Sequence, residues 1–190
     1  HRLLAGGGGM SDGRLIGVVG PSGVGKDSLM EALCARCPDL HRVRRVITRP
    51  AEAGGEDFDG ISPALFAARA AGGDFALHWQ AHGLSYGVPA SVRDVLANGR
   101  DALVNLSRGV LGKAALKFDT LHVLHVTARP HALAARLAAR GRESEAEIAR
   151  RLSRPAPPMP EGLRVTEIDN SGRLETAVDA ALAALYPERV

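Results

Sequence analysis

Short runs of consecutive apolar residues alternate along this chain with longer segments whose apolar positions recur every three or four residues. The runs predict strands at 15–19, 43–48, 75–80, 102–106, 121–127 and 164–168. The longer periods predict helices at 28–36, 63–71, 91–97, 110–117, 131–140, 144–152 and 174–185. Strand–helix alternation of this kind predicts a parallel sheet covered by helices on both faces. One stretch breaks the rhythm, with two β-type runs around His82-Gly83 between residues 75 and 88. It reads as part of a small inserted subdomain over about 44–88, while the proline-rich 154–162 reads as a stiff surface linker. No internal repeat is present.

At 190 residues the chain has room for one α/β domain, and a hydrophobic fraction of 45% is enough to bury a core. Residues 1–13, with Gly6 to Gly9 ahead of Met10, read as a leader outside a single domain at 14–190. No apolar run approaches a membrane span, and the start lacks the basic-then-apolar layout of a signal peptide. Two cysteines make no disulfide framework, so a reducing cytoplasm is the expected location. The net charge of +3 is too mild for a nucleic-acid-binding surface. Its quality says more: only Lys26, Lys113 and Lys117 among the 24 basic residues are lysines, and arginine's planar fork suits phosphate and carboxylate. High-GC codon usage would produce the same bias.

The first predicted strand runs straight into Gly20, Pro21, Ser22, Gly23, Val24, Gly25, Lys26, Asp27 and Ser28, followed by a helical segment. This is the G-x4-G-K spacing of a phosphate-binding loop. Its glycines let the backbone turn several N–H groups inward, the helix N-terminus adds positive potential, and Lys26 supplies a mobile full charge. The position after the lysine, where Ser or Thr would reach Mg²⁺, is Asp27. A carboxylate is a competent hard-oxygen ligand, so Asp27 is a candidate Mg²⁺ ligand; the alternative is a first-turn acid favoured by the helix dipole. No strand but 164–168, followed by Asp169, ends as a second metal-binding motif would, and no N-K-x-D guanine-reading motif exists. A GTPase is therefore disfavoured, leaving a small kinase that works by positioning and charge neutralisation.

Several segments together resemble the guanylate kinases: Gly20 to Lys26, Ile47-Thr48-Arg49-Pro50, Gly55-Glu56-Asp57-Phe58, Gly73-Asp74-Phe75, His82 to Gly87, and Arg136 to Glu143 leading to Arg151-Leu152. The resemblance spans about residues 14–186 in order. It implies an α/β P-loop NTPase fold: a three-layer parallel-sheet core, an inserted mixed β/α substrate-binding subdomain, and a helical lid at about 140–160. ATP and Mg²⁺ are the implied cofactors.

Departures from that family are informative. Its base-reading Phe-x-Glu is Phe75-Ala76-Leu77, and its Asp-x-Asp-x-Gln-Gly run is Val104-Asn105-Leu106-Ser107-Arg108-Gly109. The tyrosine expected after Glu-Asp is Phe58, and the arginine expected three residues after Arg49 is Glu52. A leucine cannot accept from guanine's N–H groups, so GMP is a poor acceptor. The replacements are similar to the ribose 1,5-bisphosphate phosphokinases, a guanylate-kinase-like family of bacterial phosphonate catabolism. That similarity implies a phosphorylated sugar as partner, with Arg49 and Tyr86 gripping an acceptor phosphate and Asn105, Ser107 and Arg108 replacing the base-reading groups. It also places Arg140, Arg142 and Arg151 in a lid over ATP; Arg136 and Arg150 read as residues of a solvated helix face. A guanylate-like nucleoside monophosphate kinase and a non-catalytic interaction module remain the alternatives, and a homodimer is left open.

Smaller signals resolve towards packing. Cys34 and Cys37 have redox spacing but lie near the end of the helix that follows the phosphate loop, with no second Cys/His pair. His122 and His125 lie an odd number apart on a strand and so face opposite sides. His78 and His82 are placed either at the acceptor or in the inserted sheet, Trp79 in packing or stacking, and Asn170 near adenine or in a capping turn.

Overall fold

The computed structural model describes residues 12–50, 56–141, 144–153 and 158–189, the side chains at 151, 152 and 189 excepted. Five strands, β1 (Leu15–Val19), β2 (His41–Arg42), β7 (Ala102–Asn105), β8 (His122–Thr127) and β9 (Arg164–Asp169), form a sheet in the order β2-β7-β1-β8-β9. Every pairing in it is parallel. All five residues of β1 are buried, as a central strand covered on both faces requires.

One face packs on α1 (Lys26–Arg36) and α7 (Leu174–Leu185), where Ile16, Val18, Leu124 and Ile168 meet Leu29, Leu33, Val178 and Ala181. The other packs on α3 (Val92–Ala97) and α4 (Leu111–Lys117), where Leu15, Val19, Val104 and Val123 meet Val92, Leu96, Leu111 and Ala114. Cys37 lies buried at the end of α1, and both cysteines are free thiols.

The insertion is a second sheet. Strands β3 (Val46–Ile47), β4 (Asp59–Gly60), β5 (Phe75–Ala81) and β6 (Leu84–Pro89) run in the order β4-β3-β6-β5, with α2 (Pro63–Ala71) packed on it. The β3–β4 pair is parallel and the β3–β6 and β5–β6 pairs antiparallel, so the sheet is mixed. His82 (φ 53°) and Gly83 (φ 74°) both take left-handed conformations in the β5–β6 turn, as a two-residue primed hairpin demands. His82 is an exposed turn residue. His78 packs beside Phe66 and Phe75, and its carbonyl accepts from Lys113.

The single strand expected at 43–48 is divided between the sheets. Val43 N–H still donates to Leu103 of the large sheet, whereas Asp59 N–H donates to the Arg45 carbonyl of the small one. The chain changes sheets at Arg44-Arg45 because the two side chains are captured separately. Arg44 pairs with Asp57 and Asp59, and Arg45 with Glu56. Beyond the large sheet, α5 (Pro130–Ala139) and α6 (Glu145–Ser153) pack against each other. Proline opens α5, where its fixed φ and missing N–H cost nothing. Gly13, within the expected leader, is buried and donates to the Leu96 carbonyl.

Candidate active site

The loop between β1 and α1 leaves the centre of the sheet and enters the helix at Lys26, two residues before the helix expected from sequence. Gly25 caps the helix with φ 90°, and a Cβ there would come within 2.6 Å of the Asn170 amide nitrogen. Only glycine meets both conditions. Behind the loop, the buried Asn170 donates from Nδ2 to the Val24 carbonyl at 2.8 Å. Arg136, from α5, reaches the Val24 carbonyl at 3.3 Å and the Asn170 carbonyl at 2.5 Å. Arg136 therefore does not lie on a solvated face. It ties loop carbonyls down, which leaves the loop's N–H groups and the start of α1 to face an anion. Asp169 accepts from the Ser171 N–H and hydroxyl and is a turn residue.

Lys26 folds back so that Nζ donates to the Gly20 carbonyl at 2.6 Å. Burial, and secondarily the nearby Arg45 charge, lower its pKa to about 8, against the pull of Asp27. Burial, more than the Arg45 charge, makes this ammonium easier to deprotonate than a surface lysine. Asp27 and Ser28 are exposed in the first turn of α1.

A second wall comes from the small sheet. Arg45 is 5% exposed, and its guanidinium grips both Glu56 carboxylate oxygens and donates to the Asn105 carbonyl at 3.2 Å. Burial holds its pKa down to about 10 despite Tyr86 and Asp27 nearby. The guanidinium lies 5.0 Å from the Tyr86 ring centroid, and Tyr86 stacks on Trp79 at 5.4 Å with the planes 9° apart. Trp79 Nε1 donates to Ser107 Oγ at 3.0 Å. The Asn105–Ser107 loop of the large sheet is thus bonded to the Arg45–Tyr86–Trp79 stack of the small one. Arg49 lies 4.4 Å over the ring of buried Phe58, so the residue standing in place of a tyrosine serves as a flat platform for the guanidinium.

Arg108 bonds His125 on β8, while His122 turns the other way to Thr166, as their odd spacing predicts. Arg140 is exposed at the end of α5. Arg142 and the Arg151 side chain lie outside the described residues. Arg45, Glu56, His125 and the loop-tying role of Arg136 were not legible in the sequence. The nearest signal was the Arg44-Arg45 pair inside an apolar run, which does not say which arginine turns inward.

The base-reading position is the decisive difference. Leu77 is 0% exposed and packs with Val88, Val92 and Val104 in the core that joins the two sheets. No carboxylate stands there, and the side chain does not reach the cleft.

The guanylate kinase family model matches residues 12–161. The chain is 54% identical over 178 residues to the ribose 1,5-bisphosphate phosphokinase PhnN of Ruegeria sp. strain TM1040, covering 93% of this chain and 94% of that protein. The chain belongs to the guanylate kinase family. The PhnN protein of Pseudomonas fluorescens strain SBW25 is 47% identical, with 91% and 95% covered. Among solved structures, the guanylate kinase of Anaplasma phagocytophilum superposes with a TM-score of 0.68 at 19% identity, covering 95% of this chain and 88% of that one. At that identity the likeness shows the fold, a guanylate-kinase-like P-loop fold, while the close sequence relatives are the PhnN proteins.

Proposed function

We propose that this guanylate-kinase family member transfers the γ-phosphoryl group of ATP to the 1-phosphate of ribose 1,5-bisphosphate, yielding ADP and 5-phosphoribosyl 1-diphosphate in phosphonate catabolism. The observation that carries the reading is Leu77: a fully buried leucine stands where a guanine-reading carboxylate would. Arg49 and Arg108, with the Trp79–Tyr86 stack that buried Arg45 backs, supply cations and flat rings instead. The names of the PhnN relatives point to the same acceptor.

The acceptor oxygen is already largely anionic at neutral pH, since a phosphate monoester's second pKa is ~6, so no general base is required. The chain's task is to hold two polyanions in line and match the charge that spreads in the transition state. In this reading the loop N–H groups and Lys26 bind the ATP phosphates. Arg49, flat on Phe58, and Tyr86 bind an acceptor phosphate, and Arg108 with Asn105 and Ser107 binds the sugar phosphate. The small sheet carries the acceptor, and Arg140, Arg142 and Arg151 belong to a lid over about 140–160 that excludes water.

Asp27 and Ser28 fit a Mg²⁺ ion, which in phosphoryl-transfer sites is held by one or two carboxylates together with substrate phosphates. Among the described residues no His/Cys/Asp/Glu trio forms a metal cage of protein groups alone. The ion would neutralise phosphate charge. Among the described residues no helix is long and apolar enough to cross a membrane, and the reading places the enzyme in the cytoplasm with its ATP. Phosphorus NMR tests the acceptor. Ribose 1,5-bisphosphate with ATP and Mg²⁺ is expected to yield a diphosphate signal and ADP, and GMP little. Robust turnover of GMP alone overturns the assignment in favour of a nucleoside monophosphate kinase.

A further inference from the structure

Trp79 on β5 and Tyr86 on β6 stand opposite each other in the small sheet, with ring centroids 5.4 Å apart and planes 9° apart. The buried Arg45 guanidinium lies 5.0 Å from the Tyr86 centroid and 6.0 Å from that of Trp79. The half-buried indole packs against the core that joins the two sheets, and its Nε1 donates to Ser107 Oγ at 3.0 Å. Ser107 holds the N-cap position of the short 3₁₀ turn Arg108–Val110, yet its side chain makes no capping bond. A serine there ordinarily accepts from a backbone N–H of the turn it opens. Here the oxygen accepts from the indole instead. An indole only donates, so the hydroxyl proton is turned away from Trp79, and a hydroxyl that accepts one hydrogen bond donates the next more strongly. This happens at the carboxyl edge of the large sheet, beside the phosphate loop: Asn105 pairs with Val18 on β1, and the Leu106 N–H donates to the Val18 carbonyl.

We infer that Trp79 is a positioning residue for the acceptor anion: its ring holds Tyr86 flat, and its N–H turns the Ser107 hydroxyl into an oriented donor. The inference rests on the reading of Tyr86 and Ser107 as acceptor ligands. A phosphate oxygen only accepts, so a serine set by a donor on its other side is the partner it needs. Phenylalanine would supply the ring without the N–H. The indole supplies both restraints, and it does so from the small sheet to a residue of the large one, so the two walls of the cleft are set against each other by one side chain.

Trp79 is the sole tryptophan, so the protein gives one indole N–H signal in ¹H–¹⁵N spectra. That signal is expected to shift when ribose 1,5-bisphosphate is added to the nucleotide-free enzyme, and to move in Ser107→Ala. Trp79→Phe, which keeps a ring against Tyr86, is expected to raise the acceptor KM by about five-fold or more with the ATP KM within about two-fold, as loss of one hydrogen bond does. Ser107→Ala should raise it at least as much. The Trp79→Phe/Ser107→Ala pair should go no further than Ser107→Ala, because both changes act through one hydroxyl. Thermal melts confirm that the variants fold; should Trp79→Phe not fold, the wild-type indole signal decides. An indole signal indifferent to the acceptor overturns the inference. So does an acceptor KM raised in Ser107→Ala but unchanged in Trp79→Phe, or single effects that add in full in the double variant. A wild-type acceptor KM in both Ser107→Ala and Tyr86→Phe instead overturns the acceptor reading of those residues, and the positioning role falls with it.

Discussion

The side-chain amide of Asn170 donates to the carbonyl oxygen of Val24 across 146 residues of sequence, and the same amide fills the space that a side chain on Gly25 would need. The end of the last strand therefore sets the shape of the loop after the first. Because Arg136 shares the Val24 carbonyl, Asn170→Ala is expected to cost only about 1 kcal/mol. The Arg136→Ala/Asn170→Ala pair should cost more than the two single changes summed, since it orphans that oxygen. Gly25→Ala meets both the amide and a left-handed backbone and should cost about 1–3 kcal/mol together with nucleotide affinity. Denaturant melts and ATP titration measure both.

Lys26 should report nucleotide binding as proton uptake. Its pKa in the free fold is about 8, and phosphates placed beside it favour the charged form and raise that value. Above pH 8 the free enzyme must therefore gain a proton to bind, and ATP affinity should fall as pH rises. Calorimetry in buffers of different ionisation enthalpy measures the uptake. Lys26→Met should abolish it, with most of the turnover, while the fold melts normally. Without nucleotide, a folded pKa below the unfolded 10.5 means that the unfolded chain binds more protons between about 8 and 10.5. Lys26 should thus make stability rise with pH across that window.

Breaking the Arg45–Glu56 pair should be costly. Their side chains are 7% and 13% exposed, so Glu56→Ala strands a shielded guanidinium and is expected to destabilise by about 3–5 kcal/mol. The Trp79 stack would loosen with it, so fluorescence of this sole tryptophan should shift in the native baseline before unfolding. An unchanged melting curve would show that the pair contributes nothing net.

Leu77→Glu should not create a guanylate kinase. The position is closed into the core, and an unpaired carboxylate there costs several times what a cavity does. The variant should lose stability severely and gain no GMP turnover. Leu77→Ala, which tests packing alone, should cost about 2–5 kcal/mol.

Asp27→Ala should shift the Mg²⁺ titration of turnover to higher concentration without lowering the melting temperature by more than about 1 kcal/mol equivalent, the worth of a first-turn acid. An unshifted titration would leave Asp27 only that dipole role.

Local patterns carried the architecture. The strand at Leu15–Val19 and the helices at Pro63–Ala71 and Leu174–Leu185 fall where periodicity predicts them, because burial on a strand or one helical face is written in neighbouring residues. The phosphate loop was legible for the same reason: its glycines, lysine and flanking elements are contiguous. The departure at Leu77 was visible, although that the leucine fills the core rather than the cleft was not.

What only the folded chain decided is which of many arginines does which work. Arg45 and Arg44 are adjacent, yet one is buried against Glu56 and a carbonyl 60 residues away and the other stays exposed. Arg136 looks like one more polar position on a surface helix until α5 packs beside a loop more than a hundred residues earlier in the chain. Strand parity put His125 and His122 on opposite faces, but the partner of each came from sheet order, which sets β9 beside β8. A guanidinium takes its role from the acceptor it meets, and these acceptors are brought to it by parallel strand pairing between distant segments, a long-range arrangement that no local pattern encodes.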